Sequence, residues 1–146
     1  MVEELKAKVL LVDDEKDFLS TLAERLEARG LKVNTADSGE DAVTKLDGQN
    51  YDVIVLDFAM PGIDGLETLK RIKAKQPEAE IIMLSGQGSI RTSIEAMKRG
   101  AEDFLEKPVN IADLLKKIGE AKDKHMLVLQ AKSAKEIEKL LHTKSW

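Results

Sequence analysis

Acidic, hydroxyl and amine side chains stand at the ends of four apolar runs. Asp13 and Asp14 follow Val9-Leu10-Leu11-Val12, and Asp57 follows Val53-Ile54-Val55-Leu56. Ser85 follows Ile81-Ile82-Met83-Leu84, and Lys107 lies just past Phe104-Leu105. Three carboxylates within a few ångströms of one another cannot all stay ionised without a counter-charge. A hard divalent cation supplies one; Mg2+ typically takes one or two carboxylates, waters and phosphate oxygens. Lys107 adds a second positive charge. A carboxylate held in this way is a nucleophile able to form an acyl phosphate, with transfer resting on positioning and charge neutralisation. Ser85 offers a donor to a phosphoryl oxygen, and Gly86 beside it leaves room for the group. Taken singly, each residue has a plainer use. Asp13-Asp14 would cap a helix, Asp57 would be a structural strand-end acid, Ser85 a loop hydroxyl and Lys107 a solvated lysine. It is the complementary set at four strand ends that argues for joint chemistry.

The elements that must position this set alternate along the chain. Val9–Val12, Val53–Leu56 and Ile81–Leu84 are continuous apolar runs, the mark of strands covered on both faces. Lys32–Ala36 and Asp103–Glu106 read as shorter strands. Between them, Phe18, Leu19, Leu22, Ala23 and Leu26 repeat at helical spacing and stop at Gly30. Ser38 is placed to cap a helix ending near Leu46. Leu66, Leu69 and Ile72 form a helix that ends before Pro77, with Pro61-Gly62 and Asp64-Gly65 marking the loop ahead of it. Ile90, Ile94, Met97 and Ala101 line a helix that stops at Gly100, and Ile111, Leu114, Leu115 and Ile118 open the last one. Five strands alternating with five helices predict an α/β fold, a doubly wound parallel sheet with helices on both faces. Such sheets bind ligands beyond the carboxyl ends of their strands, where all four reactive pieces fall.

The 146 residues suit one domain with a sizeable core. With 23 basic and 27 acidic residues the net charge is −4, and that acidity argues against direct nucleic-acid binding. The absence of cysteine excludes disulfides and thiolate metal sites. No apolar run approaches a membrane span, and Met1-Val2-Glu3-Glu4 lacks the basic start of a signal peptide. The chain is expected to be cytoplasmic.

Four segments carry a resemblance to the receiver domain of two-component response regulators. They are Leu11–Glu15, Val53–Gly65, Ile81–Gly86 and Gly100–Pro108, in the family's order and spacing over roughly residues 6 to 122. The resemblance implies the flavodoxin-like strand order 2-1-3-4-5, for which this family is itself a standard example. It implies that Asp57 is phosphorylated, that Asp14 binds Mg2+ directly and that Asp13 acts mainly through water. Asp57 and the main-chain carbonyl of Ala59 complete the metal ligands. Lys107 is implied to bond the phosphoryl group, Ser85 to be the switch hydroxyl, and Phe104 to hold the aromatic switch position. Ala59 and Gln87 occupy positions that tune the acyl-phosphate lifetime; neither is an acid or base able to activate water strongly, so self-dephosphorylation is expected to be unexceptional. The implied donor is a sensor histidine kinase or phosphotransfer protein, docking on the first helix near Glu15, Lys16 and Phe18. An aspartate-nucleophile phosphatase of the haloacid dehalogenase type would carry an acid where Ala59 stands. A flavin carrier on this fold would need a phosphate loop where Asp13-Asp14-Glu15 stand.

The receiver is expected to span residues 1–124, with a helical extension or linker over 125–146. Ile111, Leu115, Ile118, Lys122, Met126, Leu129, Ser133, Ile137 and Leu140 average about 3.6 residues apart, predicting one continuous helix. Its far half could not bury Ile137, Leu140 and Leu141 on its own sheet. A homodimer through this helix or through the face of the last two helices would cover them, as would an output domain in a longer regulator. The segment from Gly88 to Phe104 looks closest to receivers that control ATP-dependent transcription activators. No output domain is visible in the chain. His125 and His142 are read as solvated tail residues.

Overall fold

The computed structural model describes residues 6–58, 64–86 and 90–143. Five strands, β1 (Lys8–Val12), β2 (Lys32–Ala36), β3 (Val53–Asp57), β4 (Glu80–Ser85) and β5 (Asp103–Glu106), alternate with five helices. The helices are α1 (Lys16–Glu27), α2 (Gly39–Lys45), α3 (Gly65–Lys75), α4 (Ile90–Lys98) and α5 (Ile111–Thr143). All strands are parallel, in the order β2-β1-β3-β4-β5, the order the sequence resemblance implies.

Alternation along each strand divides the interior into two layers. Leu10, Val12, Ile54, Leu56, Ile81 and Met83 face Ala42, Leu69, Ile72 and Ala96 of α2, α3 and α4. Val9, Leu11, Val53, Val55, Ile82 and Leu84 face Leu19, Leu22 and Leu26 of α1 and Leu114, Ile118 and Ala121 of α5. Burial on both faces is why these strands read as unbroken apolar runs rather than alternating ones. Local chemistry sets the helix starts. Ser38 Oγ accepts the Asp41 N–H at 3.0 Å, and Asp64 Oδ1 accepts the Glu67 N–H at 2.9 Å. After α1 the chain turns through Gly30 at φ 91°, a left-handed conformation costly for any residue with a Cβ.

Two helix faces differ from the sequence expectation. Among the described side chains of α4 the buried one is Ala96, while Ile94 and Met97 are about half exposed. In α5 the buried stripe runs Leu114, Ile118, Ala121, His125, not through Leu115, Lys122 and Met126. Apolar residues lie on more than one side of both helices, and the contacts with the sheet, not the period, choose the side. His125 is therefore not a solvated tail residue. It is buried, with Nδ1 3.3 Å from Asp52 Oδ1, and Asp52 Oδ2 accepts the Lys8 N–H at 2.9 Å.

At about 1.5 Å per residue, the 33 residues of α5 span roughly 50 Å. The helix crosses the sheet from its carboxyl edge, passes the amino edge and continues outward. Where it passes, it offers a base to an acid just ahead of each of β5, β3 and β4: Lys124 to Glu102, His125 to Asp52 and Lys132 to Glu78. Beyond that edge Leu127, Ile137, Leu140 and Leu141 are exposed. No helix among the described residues is long and apolar enough to cross a membrane.

Candidate functional site

Parallel register brings the reactive residues to one edge. Val12 lies opposite Leu56, so Asp13 and Asp57 leave adjacent strands at the same level. Asp57 lies opposite Leu84, which places Ser85 one residue further out, and Ser85 lies opposite Glu106, next to Lys107. The Lys107 N–H donates to the Ser85 carbonyl at 2.7 Å, tying the two loops together. The Lys107-Pro108 bond is cis.

Each of Asp13, Asp14 and Asp57 offers a carboxylate oxygen, and these oxygens all lie within 4.8 Å of one another. Asp13 and Asp57 are buried and Asp14 is exposed. Asp13 Oδ1 accepts the Glu15 N–H at 2.9 Å, and Asp13 Oδ2 accepts from Lys107 Nζ at 2.8 Å. Lys107 Nζ also lies 3.3 Å from Glu15 Oε1 and 3.6 Å from Asp57 Oδ1. Burial works against the ammonium charge. The bond to Asp13 and the fields of Asp13 and Asp57, helped by Glu15, more than offset that and hold its pKa above the ordinary lysine value. One ammonium among four carboxylates leaves an excess of negative charge on oxygen donors, a set that fits a hard divalent cation and suits Mg2+. Asp13 is already engaged at both oxygens, whereas Asp14 faces solvent.

Backbone packing holds Asp57 from behind. Gly65 opens α3 and donates its N–H to the Phe58 carbonyl at 2.9 Å. A Cβ at Gly65 would stand 2.6 Å from Phe58 Cα and 2.9 Å from the Asp57 carbonyl oxygen, so only glycine lets α3 approach this close. Nothing in the sequence reading singled out this support. Its signal is a glycine at the first position of a capped helix, where helix propensity alone disfavours it. Ser85 is buried at the end of β4, and Phe104 is partly buried against the α2–α4 layer. Ala59 and Gln87 lie outside the described residues.

The response regulator receiver domain family model matches residues 9–119. The chain belongs to the response regulator receiver domain family. This receiver is 42% identical over 104 residues to the nitrogen assimilation regulatory protein NtrX of Azorhizobium caulinodans, covering 70% of this chain and 23% of that one. It is 35% identical over 111 residues to the transcriptional regulatory protein TcrA of Mycobacterium tuberculosis, covering 76% of this chain and 44% of that one. The receiver thus spans less than half the length of these curated relatives. The receiver domain of a Francisella response regulator superposes with a TM-score of 0.76 at 32% identity, over 81% of this chain and 98% of that one.

The structure brings together Asp13, Asp14, Asp57 and Lys107, and sets Ser85 on the adjoining strand end. Glu15 and Phe18, read from the sequence as part of a docking face, also contact Lys107. The Phe18 ring centroid is 4.4 Å from Nζ.

Proposed function

We propose that this receiver takes a phosphoryl group onto Asp57 from the phosphohistidine of a sensor kinase or phosphotransfer protein, and that the modified surface then engages a partner. The observation that carries this reading is the cluster of three carboxylates within 4.8 Å with Lys107 Nζ reaching two of them. An Asp57 carboxylate oxygen attacks phosphorus and forms the new P–O bond. The P–N bond to the donor imidazole breaks, and its electron pair stays on nitrogen. Asp14, Asp57 and, through water, Asp13 would hold Mg2+, with the Ala59 carbonyl as the remaining protein ligand. Bound there, the ion neutralises charge that builds on the phosphoryl oxygens. Lys107 pairs with a phosphoryl oxygen, and Ser85 donates to another as Phe104 turns inward.

A groove of about 450 Å³ beside the site, lined by Glu15, Phe18, Thr21, Arg25, Lys107 and Pro108 among others, is the docking surface for the donor. The occupant of the protruding helix is a second copy of this chain. Leu127, Gln130, Ala134, Ile137 and Leu141 are spaced 3-4-3-4, the seam of a two-stranded coil, and the three large apolar members are well exposed. Incubation with Mg2+ and acetyl phosphate, followed by mass spectrometry, should show one added phosphoryl group, lost in Asp57→Ala. An unlabelled parent protein overturns the reading.

A further inference from the structure

The stem of Lys107 has four rotatable bonds and three carboxylates within reach of its ammonium. Those at Asp13 and Asp57 are buried. The third, at Glu15, is about two-thirds exposed and draws Nζ outward. Charge alone does not decide among them. An apolar group also lies against the ammonium: Phe18, whose ring centroid is 4.4 Å from Nζ and which packs on the layer that holds α1 and α5 to the sheet. An aromatic face attracts a cation while offering it no competing acceptor. It therefore fixes where Nζ sits without withdrawing it from the acids.

We infer that Phe18 is a positioning residue for phosphoryl transfer: its ring fixes the Lys107 ammonium at the point where it reaches Asp13, Asp57 and Glu15 together. The inference rests on the reading of Asp57 given above. Phe18 also lines the groove assigned to the donor, so a protein seated there touches the residue that sets the lysine. One side chain then serves docking and chemistry together.

A small donor separates the two roles, because acetyl phosphate does not use the groove. With Mg2+ present, Phe18→Leu should lower the maximal phosphorylation rate constant roughly 3- to 30-fold, the range that loss of a cation–aromatic contact gives. The half-saturating Mg2+ concentration should not change. Phe18→Tyr and Phe18→Trp keep an aromatic face and should retain most of the rate. In the metal-free protein, the Lys107 ε-methylene protons should be shifted upfield by the ring current. That shift should vanish in Phe18→Leu and persist in Phe18→Tyr. A Phe18→Leu protein as fast as the parent overturns the positioning role, as does Phe18→Tyr falling as far as Phe18→Leu or an absent upfield shift. A parent that takes no label overturns the reading of Asp57 and this role with it, whereas a labelled parent with an equally fast Phe18→Leu overturns this role alone.

Discussion

At the carboxyl edge of the sheet, Asp13, Asp14, Glu15 and Asp57 surround the single ammonium of Lys107. At the amino edge, Asp52, Glu78 and Glu102 each meet a base from α5, and Lys73 reaches the Ala79 carbonyl beside Glu80. One edge is left with surplus negative charge on oxygen donors, and the other is matched pair by pair. The difference marks the division between function and support. On the function proposed above, a divalent cation bound among the carboxylates relieves their repulsion and offsets the further negative charge that a phosphoryl group brings. At the amino edge the charges are spent on fixing the long helix to the body.

This contrast can be broken from either side. The largest effect is expected at the supporting edge. His125→Ala removes a buried side chain and leaves Asp52 with only its backbone partner, and should cost about 1–3 kcal/mol. Urea unfolding measures it, and phosphorylation by acetyl phosphate should stay at the parent rate. A slower phosphorylation would mean that the two edges are not independent.

The opposite sign is expected at the functional edge. Asp14→Asn removes one of three mutually repelling acids. In the absence of metal it should raise stability, on the order of 1 kcal/mol or less for an exposed group. Added Mg2+ should raise the Tm of the parent but not of the variant. If the variant melted lower than the parent without metal, the carboxyl edge would not be strained by its charge.

A smaller effect depends on pH. Glu80 is the exception at the matched edge: burial, then the neighbouring Glu102 carboxylate, raise its pKa above the usual 4.5. An acid whose folded pKa is raised binds its proton more tightly in the native state. Its contribution to stability is complete below pH 4.5 and is lost as the pH rises through the raised value. Glu80→Gln should therefore gain on the parent as the pH climbs from 4.5 towards neutrality. Parallel melting curves at several pH values test this, and a gap that stays constant would show that Glu80 is not strained.

Much of this architecture was legible in the residues. The strands were visible because burial on both faces leaves no polar position in Val9–Val12, Val53–Leu56 or Ile81–Leu84. The carboxyl-edge site was visible because its residues sit one step past those runs. Less legible were the faces of α4 and α5. A helical period reports that some side is apolar, and both helices carry apolar residues on more than one. Ala96 faces inward while Ile94 and Met97 are half exposed, because the core takes the residue nearest the sheet whether or not it is the largest. His125 was misread for the same reason: it follows Leu114, Ile118 and Ala121 at intervals of three and four, but a histidine does not announce a buried position until Asp52 is placed opposite it.

By itself the sequence determined the alternation of elements, the strand ends on which acids, hydroxyl and amine stand, and the uninterrupted helix after Ile111. These follow from local preference and hydrophobic pattern, which act along the chain. Only the tertiary structure decided that Lys107 is held by Asp13, Glu15 and Phe18 together, that Gly65 packs on the backbone of Asp57 and Phe58, and that α5 is anchored through His125. Those arrangements join residues far apart in the chain, 94 positions in the case of Lys107 and Asp13. Their energies depend on distance and burial, which no spacing along the sequence records.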